Sequence, residues 1–153
     1  MVTGPQAWEV AATVVDPEIP VLTIADLGIL REVHVEGDAV EVVITPTYSG
    51  CPAMDQIRQD IEAAFQAVGV NLVTVSTKLS PAWTTDWMST EGKAKLNDFG
   101  IAPPRTRSDE PILCPQCSAG GSRLVSEFAS TACKALRVCE SCGEPFDHFK
   151  ELR

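Results

Sequence analysis

Apolar and polar positions follow first a helical period, then an alternating one, then a helical one again. In 3–15, Ala7, Val10, Ala11 and Val14 recur at steps of three and four, which predicts a short amphipathic helix. Thr3 and Gln6 fit a capping box at its start, and Pro5 suits an early helical position. Asp16-Pro17-Glu18-Ile19-Pro20 ends it, because two prolines around two carboxylates favour an extended turn. Asp26-Leu27-Gly28 closes a second loop. Alternation over 30–35 and 40–44 predicts two strands joined by a turn at Gly37-Asp38. After the loop 45–50, the helical period returns at Cys51-Pro52. Met54, Ile57, Ile61, Phe65 and Val68 then share one face, Asp55 complements the helix dipole, and Gly69 fits the residue after the cap. Residues 72–78 are rich in β-branched side chains and predict a third strand. Strand, helix and strand over this length imply a right-handed crossover and a parallel pair. The expected fold class is α+β: a compact domain with a small mixed sheet and two to three helices, followed by a small β module.

The pattern weakens after residue 80. Trp83 and Trp87 stand four apart and read as core or partner contacts, and Thr90 fits the start of a short helix ending near Phe99-Gly100. The polar, proline-rich run 103–111 reads as a linker, which divides the chain into 1–102, 103–111 and 112–153.

The most specific signal lies beyond that run. Cys114 and Cys117 are two residues apart, and so are Cys139 and Cys142. A tetrahedral Zn²⁺ takes four thiolates at about 2.3 Å, and two such knuckles supply them from two turns. The stretch between them can hold a strand pair, 123–128 and 134–138, with 145–150 as a third strand. So short a segment buries little core, and a structural zinc ion would supply roughly 10 kcal/mol or more of its folding free energy. An iron–sulfur site on the same ligands and a redox pair at Cys114-Pro115-Gln116-Cys117 are the alternatives. The redox pair lacks the βαβ setting it needs, since a linker precedes it and Ser118-Ala119-Gly120-Gly121 follows. Cys133 is the odd thiol of the module, either a small buried residue or an auxiliary thiol.

Charge and composition narrow the roles. The chain has 153 residues and a net charge of −9. Residues 1–110 carry 16 acidic and 7 basic side chains, and 111–153 carry five of each. Zinc on four thiolates would leave the second part near −2. Nucleic-acid affinity needs a surplus of Lys and Arg, so binding to nucleic acid is disfavoured. No run of 18 apolar residues occurs, so no membrane span is expected, and the first ten residues do not read as a signal peptide. Six cysteines then suggest a reducing compartment, the cytoplasm, and metal or thiol chemistry in place of disulfides.

Cys51 stands at the expected N-terminus of the main helix, where unpaired amides favour a thiolate. It reads as a nucleophile, a soft metal ligand or an ordinary N-terminal cysteine. Asp16 and Glu18 read as hard ligands or as solvated turn residues. His34 falls on the strand face opposite Val33 and Val35, and His148 falls in the last strand, so neither has catalytic spacing to Cys51. No catalytic set is assigned, and a non-catalytic factor is expected.

Asp-Pro-Glu-Ile-Pro at 16–20, Asp26-Leu27-Gly28, and Thr47 followed by Cys51-Pro52 resemble the SufT-like domain family of iron–sulfur protein assembly. Leu79-Ser80-Pro81-Ala82-Trp83-Thr84-Thr85-Asp86-Trp87, Gly100-Ile101-Ala102-Pro103-Pro104, Ser130-Thr131-Ala132-Cys133-Lys134 and the two knuckles extend the resemblance over nearly the whole chain, to the PaaD family of phenylacetate degradation. The resemblance implies an accessory or maturation factor of the oxygenase that epoxidises the ring of phenylacetyl-CoA, assisting cluster or metal insertion into its iron–sulfur reductase. A structural subunit of that oxygenase is the alternative. It implies structural Zn²⁺ on Cys114, Cys117, Cys139 and Cys142, and a transient iron or iron–sulfur contact at Cys51 with the acidic loop of Asp16 and Glu18. The implied partners are the oxygenase components, above all the reductase, with a homodimer left open.

Overall fold

The computed structural model describes residues 2–48 and 51–152, so Ser49 and Gly50 of the expected loop lie outside the described residues. The protein is α+β and divides into two units, 1–89 and 90–153. Among the described residues, no helix is long and apolar enough to cross a membrane.

The first unit opens with α1 (Gly4–Ala12), started by the expected capping box of Thr3 and Gln6. Ala7 and Ala11 are fully buried, so the helix approaches its neighbours with small side chains. A four-residue helix, α2 (Ile24–Leu27), follows the acidic turn; its own capping box joins Thr23 to Asp26. Strands β1 (Leu30–Glu36) and β2 (Ala39–Ile44) pair antiparallel, with Val33 opposite Val42 and His34 opposite Glu41. Helix α3 (Ala53–Ala67) crosses over to β3 (Leu72–Thr77), which pairs parallel with β2 in the sheet order β1-β2-β3. The parallel pair anticipated from strand, helix and strand is present.

Helix α3 buries Ile57, Ile61 and Phe65 completely, each contributing roughly 1.5–3 kcal/mol by removal from water. It stops where Gly69 adopts φ +87°: Gly69 N–H donates to Gln66 O (3.0 Å) and Val70 N–H to Phe65 O (3.0 Å), a Schellman closure. Val68, expected on the buried face, is the C-cap and stands 51% exposed, because the helix has already ended. Ala53 occupies the first turn of the buried face.

The second unit contains α4 (Thr90–Asp98), β4 (Ile101–Ala102), β5 (Ser122–Ser126), β6 (Lys134–Cys139) and β7 (Pro145–Phe149). Its sheet runs β4-β7-β6-β5, with β4 parallel to β7 and the other pairs antiparallel. The three strands expected in the module are β5, β6 and β7. The division after Ser89 comes ahead of the run 103–111 that the sequence suggests as a linker. That run is tied down: Arg105 donates from its backbone N–H to Glu151 Oε2 (3.1 Å) and from Nε to Oε1 (3.0 Å). His148 Nε2 lies 2.8 Å from Glu151 Oε2 on the same carboxylate.

Candidate metal centre and the Cys51 loop

Two turns with one hydrogen-bond plan bring the four cysteines together. In the first, Ser118 N–H donates to Cys114 O (2.8 Å) and Cys114 N–H to Ala119 O (2.9 Å). In the second, Gly143 N–H donates to Cys139 O (2.9 Å) and Cys139 N–H to Glu144 O (3.0 Å). The residue four past the leading cysteine takes a left-handed conformation in both, Ser118 at φ 65° and Gly143 at φ 78°. The second turn is anchored because Cys139 ends β6 opposite Ser122 of β5. Beneath the sulfurs, Cys114 and Cys139 join Ala102 and Phe146 in a small buried cluster, flanked by Ile112 and Ala119.

The ligand atoms of Cys114, Cys117, Cys139 and Cys142 all lie within 4.8 Å of one another. Cys117 Sγ is 3.5 Å from Cys139 Sγ, and Cys114 Sγ is 3.8 Å from Cys142 Sγ. A zinc tetrahedron with sulfur at about 2.3 Å has edges of about 3.8 Å, so the donor set fits such an ion. Electrostatics point the same way. The backbone amide of Cys142, whose nitrogen is 3.5 Å from Cys139 Sγ, leads the interactions that pull the Cys139 thiol down to about 6. Against the pull of the Glu144 amide, burial and the thiols of Cys117, Cys139 and Cys114 push Cys142 up to about 12. Four thiolates this close repel one another, and a divalent cation is the partner that removes the conflict.

Cys133 stands outside the quartet. It is half-buried, its Sγ is 3.0 Å from Thr131 Oγ1, and its carbonyl accepts Lys150 N–H (3.0 Å).

In the first unit, Cys51 is half-buried two residues ahead of α3, one before the cap Pro52. Its N–H donates to Tyr48 O (3.3 Å) and its carbonyl accepts Met54 N–H (3.2 Å), which fixes the backbone where the loop enters the helix. Asp16 is only 8% exposed. Its Oδ1 accepts the N–H groups of Glu18 (2.7 Å) and Ile19 (3.2 Å), so this carboxylate shapes its own turn. Among the described residues, the four cysteines form a group with metal-ligand spacing, whereas Cys51, Asp16 and Glu18 do not.

Sequence reasoning missed how the Asp26-Leu27-Gly28 turn is held. Asp26 Oδ2 accepts Thr23 N–H (3.1 Å), Trp83 Nε1 donates to Leu27 O (2.8 Å), and Ser89 N–H donates to Asp26 O (2.9 Å). The Thr-x-x-Asp spacing at 23–26 was the available signal for the cap. Trp83 is buried, and Arg31 stacks 3.9 Å over the Trp87 ring. Both tryptophans thus serve packing within the unit. His34 is exposed beside Glu32 at 3.6 Å, as its strand face predicts.

Residues 6–76 match the family model described as an iron–sulfur cluster assembly protein, and 102–150 match the PaaD zinc beta ribbon domain. Over 150 residues the chain is 45% identical to a putative 1,2-phenylacetyl-CoA epoxidase component of Escherichia coli K12, covering 95% of this chain and 91% of that protein. It is 41% identical over 86 residues to the Fe-S protein maturation auxiliary factor of Porphyromonas gingivalis, covering 55% of this chain and 81% of that one. A crystal structure of a domain of unknown function from Bacillus anthracis aligns with a TM-score of 0.56 at 26% identity, covering 61% of this chain and 90% of its own.

Proposed function

Because the chain belongs to the PaaD family, we propose that it is an accessory factor of a phenylacetyl-CoA ring-epoxidising oxygenase and assists iron–sulfur cluster or metal insertion into the reductase component. One observation carries this reading: the assembly-type unit holds Cys51 at the entry to α3, while the cysteines with metal-ligand spacing sit in a different unit. Thiol chemistry and structural metal are thereby separated on one chain. Cys51 makes the transient contact with iron or a cluster, which is cargo, and Asp16 and Glu18 of the same unit are the candidate acidic contacts. Zinc on Cys114, Cys117, Cys139 and Cys142 staples the second unit, whose buried cluster is too small to hold the turns alone. The protein itself catalyses no ring chemistry, and it works in the reducing cytoplasm beside its client.

The test is coexpression of the oxygenase components with the Cys51→Ser chain under iron limitation. The reading expects a reductase with a depleted cluster complement; a fully loaded reductase contradicts it. A second reading, a stoichiometric subunit of the oxygenase, is favoured by the E. coli relative, which is named as a putative subunit of the epoxidase. Retention in the active complex at every purification step supports it, and loss from that complex with activity intact removes it.

A further inference from the structure

The cysteine quartet is two-sided. Cys114 and Cys139 are 2% and 1% exposed over the cluster of Ala102 and Phe146, whereas Cys117 and Cys142 face solvent. Each knuckle therefore supplies one inner and one outer sulfur. Each outer sulfur lies close to the inner sulfur of the other knuckle: Cys117 to Cys139 at 3.5 Å and Cys142 to Cys114 at 3.8 Å.

The geometry points to a peroxide-responsive metal centre that is entered at Cys117 and Cys142 and closes into disulfides across the two knuckles. This inference rests on the reading of the quartet as a zinc site. All four donors are thiolates when they hold the cation, and oxidation among them follows exposure, so the outer sulfurs react first. A hydroperoxide reaching Cys117 accepts the attack of its thiolate. A sulfur–oxygen bond forms, the oxygen–oxygen bond breaks, and a sulfenic acid and one hydroxide result. The Cys139 thiolate then attacks that sulfur. A sulfur–sulfur bond forms and the sulfur–oxygen bond breaks, releasing a second hydroxide. Two thiolates have lost two electrons and one peroxide has gained them, and two protons from solvent convert the hydroxides to water. Two of the four donors are then lost to the cation. The same steps at Cys142 and Cys114 consume a second peroxide and remove the remaining two.

The consequence is a second unit whose staple opens under oxidative stress and is restored by a thiol reductant with zinc.

The experiment titrates the full, zinc-loaded chain with hydrogen peroxide. Zinc release is followed with a chromophoric chelator, sulfenic acid is trapped with dimedone, and cysteines are assigned by peptide mapping. Trapping at Cys117 and Cys142 should exceed that at Cys114 and Cys139 by about tenfold, following their exposure. Zinc should leave in step with peroxide, and the mapped bonds should be Cys117–Cys139 and Cys114–Cys142. Inner cysteines trapped first or equally, bonds within a knuckle, or zinc retained as peroxide is consumed would each overturn the inference while leaving the zinc reading in place. A chain that carries no zinc before peroxide is added brings both down.

Discussion

Gly28 leaves no room for a side chain against Trp87: a Cβ at position 28 would lie 2.7 Å from both the Trp87 Cβ and the Trp87 carbonyl oxygen. Gly28 also sits at φ +80°, where a Cβ is strained whatever the space. The Asp26-Leu27-Gly28 motif is therefore a backbone device, with one residue capping, one carbonyl taking the Trp83 N–H, and one glycine admitting residue 87. Gly28→Ala should destabilise the first unit by about 2–5 kcal/mol, combining left-handed strain with overpacking. Gly37→Ala, with φ +59° and nothing within 4 Å, should cost the left-handed strain alone, about 1–2 kcal/mol. Urea denaturation followed by tryptophan fluorescence measures both, and equal costs would rule out the Trp87 contact as the cause.

Metal removal should act on one unit alone. The core of residues 1–89 is built from apolar side chains on α1, α3 and the sheet, and the cysteine quartet lies elsewhere. A strong chelator should collapse the amide resonances of the second unit, withdrawing about 10 kcal/mol, while those of the first persist. Loss of both sets, or of neither, would contradict the staple.

Glu151 should give the second unit an acid-side stability slope. Burial opposes its ionisation, yet hydrogen bonds from His148 and Arg105 override burial and hold the carboxyl down at about 2. The folded value lies below the ordinary one of 4.5, so the stabilisation is complete above that pH and fades as pH falls toward 2. A shift of this size is on the order of 3 kcal/mol. Glu151→Gln should lower stability at neutral pH and narrow its gap from the parent as pH falls. A gap that stays constant with pH would show that the carboxylate's charge is not the source.

Ser118 occupies, without being glycine, the left-handed position that Gly143 fills in the matching turn. Ser118→Gly should relieve that strain and stabilise the second unit by up to about 1 kcal/mol, with zinc content unchanged. A loss of stability would mean that the serine side chain contributes more than its backbone costs.

Much of this was legible in the residues, and the misses share a cause. Period and caps located α1 and α3, because a capping box and a C′ glycine are local signals. The knuckle spacing located the quartet, since four soft ligands at fixed intervals have few other uses. The apolar stripe ran on to Val68, but Gly69 ends the helix before that residue can turn inward. Helix α2 and strand β4 span four and two residues, too short for any period to show. The run 103–111 has a linker's composition, and its pairing with Glu151, 46 residues from Arg105, is a long-range contact that composition does not reveal. At Cys51 the sequence located the loop and the helix entry, while the purpose of the thiol came from family resemblance and not from any neighbouring ligand.

The Cys51 thiol carries the central claim. Metal analysis of anaerobically purified protein, parent beside Cys51→Ser, tests it directly. The account predicts one zinc per chain in both proteins and iron in the parent alone. Equal iron in the two, or its absence from the parent, would contradict a cargo contact at Cys51.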